Sequence, residues 1–234
     1  MSLILALDTS AKPVSCALIR DEQILGCYYS HSNLTHSQTL MSMAEHLLKT
    51  SDVSVGELDA VAVNAGPGSF TGVRIGVSAV KGIAFTHNLP CISVSTLECM
   101  SENIAAEDAV ICGLMDARCS QVYTAFFERK NGVVNRITED EAITIAELAD
   151  RLGTLNRPVI LVGDGSAMCY SALADKVPNV ALAPPAVRYQ TAAATAVVAQ
   201  KKWEAGETVS ADALLPLYLR LPQAERELNA RLGK

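Results

Sequence analysis

The sequence has no pair of cysteines with C-x-x-C spacing, and its seven cysteines are spread singly along 234 residues. Disulfide scaffolds and structural zinc sites both rely on paired cysteines, so we expect neither, and a cytoplasmic protein instead. A zinc-binding helix would need two histidines at i and i+4. His31 and His36 are five residues apart, and the other two histidines lie farther away. No metal site is therefore expected.

Basic residues and long apolar runs are also scarce. The chain has 19 Lys and Arg against 25 Asp and Glu, a net charge of −6 and a pI of about 5.2. Nucleic-acid affinity depends largely on clustered basic residues, so we expect any RNA to be held by another chain. No basic leader precedes Asp8, and uncharged runs contain Gly or Pro or fall short of the ~18 apolar residues of a membrane span. We expect neither a signal peptide nor a membrane segment.

What is present is an alternation of short apolar strands and amphipathic helices in a chain that is 50% hydrophobic. The first hundred residues predict the order β-β-β-α-β-α-β-α. The expected strands are 3–7, 14–19, 24–29, 58–63 and 91–94, and the expected helices begin near 37, 70 and 95.

A second block repeats this order faintly. Asp8 to Val14 spans six residues between the end of one strand and the start of the next, and so does Asp116 to Val122. Each block also has a glycine-bearing turn after a later strand. Such ordered self-similarity predicts two related α/β lobes.

The expected boundary between the lobes lies near residues 105–109. We therefore assign residues 1–107 to an N-terminal lobe and residues 108–205 to a C-terminal lobe. Part of 206–234 is expected to pack back on the N-terminal lobe.

The most distinctive stretch is NAGPGSFTGVRIG, residues 64–76. Gly66 and Gly68 permit backbone angles that a side chain forbids, Pro67 fixes the bend between them, and Ser69 is a good N-cap for the helix that follows. The free amides of such a helix start are also a possible anion site. The lysine of a phosphate-binding P-loop is absent.

Two glycines interrupt the helix itself. Gly72 and Gly76 are one turn apart, and Ala79 and Val80 follow on the same face. A mid-helix glycine costs about 0.5–1 kcal/mol relative to alanine, so this smooth face requires close packing in compensation. The packing partner is either the chain's own sheet or a helix of another protein, and the pattern leaves both open.

Several motifs together resemble the bacterial TsaB (YeaZ) family, whose members take part in tRNA threonylcarbamoyladenosine biosynthesis. The resemblance runs over essentially the whole chain. It is carried by ILALDTS, GPGSFTGVRIG, ISVSTLE, MDARCSQVYTAFF and PLYLR, in that order.

The resemblance implies a two-lobed actin/sugar-kinase/Hsp70-like (ASKHA) fold, with a mixed five-stranded sheet in each lobe. It also implies an accessory, non-catalytic subunit without a cofactor. Such a subunit pairs with the transferase TsaD, works with the ATPase TsaE, meets tRNA only through the complex, and forms a homodimer when alone. The assembly places threonylcarbamoyl on N6 of adenosine 37 in tRNAs that read codons beginning with A.

In this family the paired surface is made by the first two helices, here about 37–49 and 70–85. The expected interface residues are Leu40, Ala44, Leu47, Ser69, Phe70, Gly72, Val73, Gly76, Ala79 and Val80. Met41 and Met43, beside the stripe of the first helix, also suit an adaptable partner surface.

Two alternatives remain open. A kinase or ATPase of the same fold would bind nucleotide through two turns, and the candidate residues are Asp8, Thr9, Ser10, Gly163, Asp164 and Gly165. Against this reading, residues 10–16 contain no glycine that could bring backbone amides to a phosphate, and Asp8 is better suited to a structural turn cap. The second alternative is a peptidase that acts on the paralogue.

Overall fold

The computed structural model describes residues 1–32 and 34–220. The N-terminal half forms five strands, three α-helices and a short 3-10 helix at Val55–Glu57. The strands are β1 (Leu3–Asp8), β2 (Val14–Arg20), β3 (Gln23–Ser30), β4 (Ala60–Gly66) and β5 (Cys91–Ser95), and the helices are α1 (His36–Thr50), α2 (Phe70–His87) and α3 (Thr96–Glu102).

The first sheet has the order β3-β2-β1-β4-β5. The first three strands are antiparallel to one another, whereas β4 and β5 run parallel to β1. Every residue of β1 and β4 is buried because helices cover both faces of the sheet, which explains their nearly continuous apolar sequence.

The C-terminal half adds six strands and three helices among the described residues. The strands are β6 (Val110–Arg118), β7 (Gln121–Lys130), β8 (Val133–Arg136), β9 (Glu141–Thr144), β10 (Val159–Val162) and β11 (Val180–Leu182), and the helices are α4 (Ile145–Gly153), α5 (Ser166–Leu173) and α6 (Ala192–Glu204).

The second sheet, ordered β11-β10-β6-β7-β8, has the topology and strand directions of the first. The faint sequence repeat therefore corresponds to two lobes of the same design. The second sheet has a sixth strand, which the sequence did not predict. β7 is ten residues long, so its outer edge pairs with β9 near one end and with β8 near the other.

Helix α6 packs on the first sheet, which corrects the expected boundary that assigned residues 108–205 to the C-terminal lobe. Ala192, Ala196 and Ala199 lie in one buried cluster with Ala6 and Ala62 of the first sheet. Helices α1 and α2 cover the opposite face, in a cluster that includes residues of the same strands. Alanines on both sides let the helix approach closely, so α6 completes the N-terminal lobe from a distant part of the sequence.

Residues 209–220, called the C-terminal strap below, also lie along the N-terminal lobe. Val209 and Cys91 exchange backbone hydrogen bonds of 2.9 and 2.8 Å, Leu214 is buried, and the Leu217 amide donates to the Ala65 carbonyl at 2.7 Å. Residues 221–234, the rest of the tail expected to return, lie outside the described residues.

Helix α3 joins the two lobes. Leu97 and Met100 lie in a buried cluster with Ile111 and Phe127 of the second sheet. Arg129 of β7 donates to the backbone and carboxylate of Glu102 at the end of α3. Over residues 1–32 and 34–220, none of the helices is both long and apolar enough to cross a membrane.

Candidate partner-binding surface

The glycine turn that begins α2 is packed against its own chain. Gly66 has φ +125°, and a Cβ there would lie 2.5 Å from the Leu217 carbonyl oxygen of the strap. A Cβ on Gly68 would overlap the Ser10 carbonyl oxygen, which already accepts a 2.7 Å hydrogen bond from the Ser69 amide. The turn therefore needs glycine because two other backbone segments touch it.

Ser69 caps α2 as expected, and its Oγ accepts from the Gly72 amide at 3.3 Å. With the Ser69 amide bound to Ser10, two amides of this helix start already have partners within the chain. The proposed anion site therefore gains no support from the geometry.

The smooth face of α2 points inward, so the expectation that Gly72 and Gly76 contact a partner is wrong. A Cβ on Gly72 would overlap the Thr9 carbonyl oxygen, and one on Gly76 would lie 2.6 Å from Thr9 Oγ1 and 3.1 Å from Val63 Cγ2. Thr9 Oγ1 also donates to the Gly72 carbonyl at 2.7 Å. The close packing that compensates for these glycines is with the chain's own first turn and sheet.

The same correction applies to the apolar stripes of the two helices. Five further expected interface residues are buried against the first sheet: Leu40, Ala44, Leu47, Val73 and Val80. Three of the ten expected residues remain accessible, namely Ser69, Phe70 and Ala79. An amphipathic helix on a sheet uses its apolar face for that sheet, so a partner can reach only the other face.

The outward face of α2 forms a groove of about 380 Å³ with Met41 of α1 and Val55 of the 3-10 helix. Its lining residues are Met41, Val55, Ser78, Ala79, Gly82, Ile83, Thr86 and His87. Met41 is 48% exposed, and Phe85, on the outer side of α2, is 78% exposed. A Cβ on Gly82 would meet no atom within 4 Å, so this glycine keeps the groove open. We call this surface the outer helix face.

The sequence interpretation missed Gly82 and Phe85. The position of Gly82 in the middle of an amphipathic helix could have identified it. A glycine there lowers helix stability as much as Gly72 or Gly76 does, and so requires a reason. Met41, in contrast, was noted as suited to a partner surface, and it lines the groove.

The first group of candidate nucleotide residues is sealed in the N-terminal lobe. Asp8, Thr9 and Ser10 are fully buried. Asp8 Oδ1 accepts from the Ser10 amide at 2.9 Å and from Ser10 Oγ at 2.7 Å, which is the structural turn cap considered above. Burial raises the pKa of this carboxyl above its ordinary value despite these bonds.

The second group lies in the turn after β10, which corresponds to the glycine turn after β4 in the N-terminal lobe. Gly163 has φ +108°, with no room for a Cβ beside the Leu114 carbonyl. The Gly165 amide donates to that same carbonyl at 3.1 Å, and Asp164 Oδ1 accepts from the Asp116 amide at 3.0 Å. Burial raises the pKa of Asp164 as well. These residues hold the turn against β6.

The thiols offer little to a peptidase mechanism. All seven cysteines are free, and five are buried. Burial raises the pKa to about 12 for four of them, which are Cys16, Cys99, Cys112 and Cys169. A thiol with such a pKa is almost entirely protonated at neutral pH and is a poor nucleophile. Among the described residues, no group of three or more His, Cys, Asp or Glu side chains is arranged to hold a metal.

Comparison with known proteins agrees with this architecture. The family model for TsaD, tRNA N6-adenosine threonylcarbamoyltransferase, matches residues 26–228. A protein of Bacillus subtilis (strain 168), named tRNA threonylcarbamoyladenosine biosynthesis protein TsaB, is 31% identical over 95% of this chain and 96% of its own. The protein of the same name from Escherichia coli (strain K12) is 31% identical over 97% of this chain and 99% of its own.

Among solved structures, YeaZ from Pseudomonas aeruginosa superposes with a TM-score of 0.78 at 27% identity, covering 94% of this chain and 100% of that one. The two-lobed ASKHA fold implied by the motifs is therefore confirmed. With relatives of this similarity matched almost end to end, the chain belongs to the TsaB (YeaZ) family.

Proposed function

We propose that this chain is a non-catalytic subunit of the assembly that forms N6-threonylcarbamoyladenosine at position 37 of tRNAs reading codons that begin with A. In this proposal it binds and activates the TsaD transferase through the outer helix face. TsaE supplies ATPase activity, and the chain contacts tRNA only as part of the complex. The protein works in the cytoplasm, and without TsaD the same face pairs two copies of the chain.

The observation that carries the proposal is an apolar groove on the outside of the two helices that the family uses for pairing. Met41 and Phe85 are large apolar side chains that lie in water in the isolated chain. Methionine and aromatic residues are enriched at the cores of protein interfaces. Gly82 leaves room for the side chains of a facing helix to enter between α1 and α2.

The non-catalytic role is supported by the two turns where this fold could hold a ligand. Thr9 and Ser10 are covered by the start of α2, and the glycines at 163 and 165 are packed against Leu114. The same packing argues against the nucleotide-dependent alternative.

The experiment uses two exposed helical glycines as a matched pair. Gly82→Arg places a long cation in the groove, whereas Gly153→Arg places one at the end of α4, where a Cβ also meets no atom within 4 Å. A charge left unpaired in an interface costs several kcal/mol, so we expect Gly82→Arg to weaken TsaD binding at least ~100-fold. Gly153→Arg should bind as the unaltered chain does.

Binding is measured by co-purification and titration calorimetry with TsaD from the same organism. Threonylcarbamoyladenosine is measured in tRNA by nucleoside mass spectrometry after reconstitution with TsaE. Circular dichroism verifies that both variants are folded. If Gly82→Arg binds TsaD normally, the assigned face is incorrect. If TsaD is cleaved during long co-incubation, the peptidase alternative replaces the proposal.

A further inference from the structure

The C-terminal strap runs antiparallel to α2 and lies directly beside it. Lys81 Nζ, late in the helix, donates to the Asp212 carbonyl at 3.3 Å. Arg74 Nε, nearer the helix start, donates to Tyr218 Oη at 2.7 Å. The strap therefore borders α2 over about two helical turns, next to the outer helix face.

Exposed apolar side chains concentrate on this side of the described molecule. Leu215 is 69% exposed and Tyr218 is 41% exposed, in the part of the strap that follows α2. Of the twelve large apolar residues that are exposed among the described residues, six belong to α1, α2 or the strap: Met41, Phe85, Val209, Leu215, Leu217 and Tyr218. Isolated exposed apolar residues are ordinary, but a concentration of them marks an interaction surface.

Three side chains are already ordered where the strap meets α2. The rings of Phe70 and Tyr218 stack with their centroids 4.9 Å apart, and the Arg74 guanidinium lies 3.8 Å from the centre of the Phe70 ring. Tyrosine and arginine are among the residues that contribute most to binding at interfaces. Because these groups are held in place beforehand, a partner would lose little side-chain entropy in contacting them.

The two helices alone present a small footprint for a stable interface. At 1.5 Å per residue, α1 with 15 residues and α2 with 18 are ~22 and ~27 Å long, and at ~10 Å in width they present roughly 500 Å². A standard interface buries about 800 Å² on each partner. The adjoining strap is the surface that can supply the difference.

We propose that the strap is a second contact area for the transferase, formed by Leu215, Leu217 and Tyr218 together with Phe70 and Arg74. The strap binds an apolar surface of the transferase, and a carboxylate on that surface faces Arg74. Arg74 is exposed, and its Nε donates to Tyr218 Oη, so its positive charge lies at this surface and favours such a carboxylate. This inference rests on the proposed function, and it extends the interface beyond the two helices.

The test compares Leu215→Glu with Met168→Glu. Both positions are exposed, but Met168 lies on α5 of the C-terminal lobe. With purified TsaD of the same organism, we expect Leu215→Glu to raise the dissociation constant at least tenfold, and Met168→Glu to leave it within twofold. Arg74→Gln should raise it about five- to tenfold and reduce its dependence on salt, because a charged pair is lost.

Thermal unfolding of each variant shows whether the fold is intact, and Leu215→Asn replaces the glutamate variant if that one unfolds. Unchanged binding by the folded Leu215 variants, with Gly82→Arg still disruptive, would refute the strap contact and leave the proposed function intact. Unchanged binding by all of these variants, Gly82→Arg included, would refute both the strap contact and the outer helix face as the binding surface. No binding of TsaD by the unaltered chain would refute the proposed function itself.

Discussion

Replacing Gly72 with alanine measures how tightly α2 packs on the first turn, and Gly82→Ala on the same helix is its matched control. A Cβ at Gly72 would overlap the Thr9 carbonyl oxygen, which is a backbone atom with little freedom to move, and would disturb the hydrogen bond from Thr9 Oγ1. Overpacking typically costs about 1–3 kcal/mol, and the lost hydrogen bond about 1 kcal/mol. The higher helix propensity of alanine offsets about 1 kcal/mol of this destabilisation.

The net expectation for Gly72→Ala is a loss of about 1–3 kcal/mol in the free energy of unfolding. Gly82→Ala meets no atom within 4 Å, so it keeps only the propensity gain and should stabilise the protein by about 0.5–1 kcal/mol. Urea unfolding at constant m-value gives both energies. In a thermal scan, each kcal/mol corresponds to about 2–4 °C for a chain of this size.

The reasoning fails if the two variants have the same stability, because helix propensity would then be the only effect. It also fails if Gly72→Ala is the more stable of the two. Either result would mean that the inner face of α2 can move away from Thr9.

Three further outcomes follow from the structure. Gly76→Arg should abolish the fold of the N-terminal lobe, because a Cβ alone would lie 2.6 Å from Thr9 Oγ1; a soluble variant with a native circular dichroism spectrum would contradict this. Gly66→Ala should detach the strap, because Gly66 has φ +125° and contacts the Leu217 carbonyl. The Leu217 amide should then exchange hydrogen at least tenfold faster, and unchanged exchange would refute the contact. Asp8→Asn should stabilise the protein at pH 7.5. Burial raises the folded-state pKa of Asp8, so the ionised carboxylate destabilises the folded protein above the unfolded pKa of about 4. The stability advantage of the asparagine variant should therefore shrink as the pH falls to 4.5. An advantage that grows instead would mean that the pKa of Asp8 is lowered in the folded state.

The local sequence predicted most elements of the N-terminal lobe. The helix expected at 70–85 is Phe70–His87, the first helix begins at His36 rather than 37, and Ser69 is the N-cap. These features depend on residues close together in the chain: apolar periodicity, turn glycines and a capping hydroxyl. The repeated six-residue spacing from Asp8 and from Asp116 also predicted two related lobes, because each hairpin is a local unit.

The tertiary structure alone decided which face of each helix is buried and where α6 lies. A stripe of small or apolar residues has the same sequence whether it packs on the chain's own sheet or on a partner. Gly72 therefore gave no sign that Thr9, far away in sequence, would be its neighbour. The alanine pattern of α6 does not indicate which sheet the helix covers, and α6 lies on the first one, where Ala6 and Ala62 allow close approach. The buried face of a helix and the sheet that it covers depend on contacts between segments far apart in the sequence, and these contacts form only when the whole chain folds.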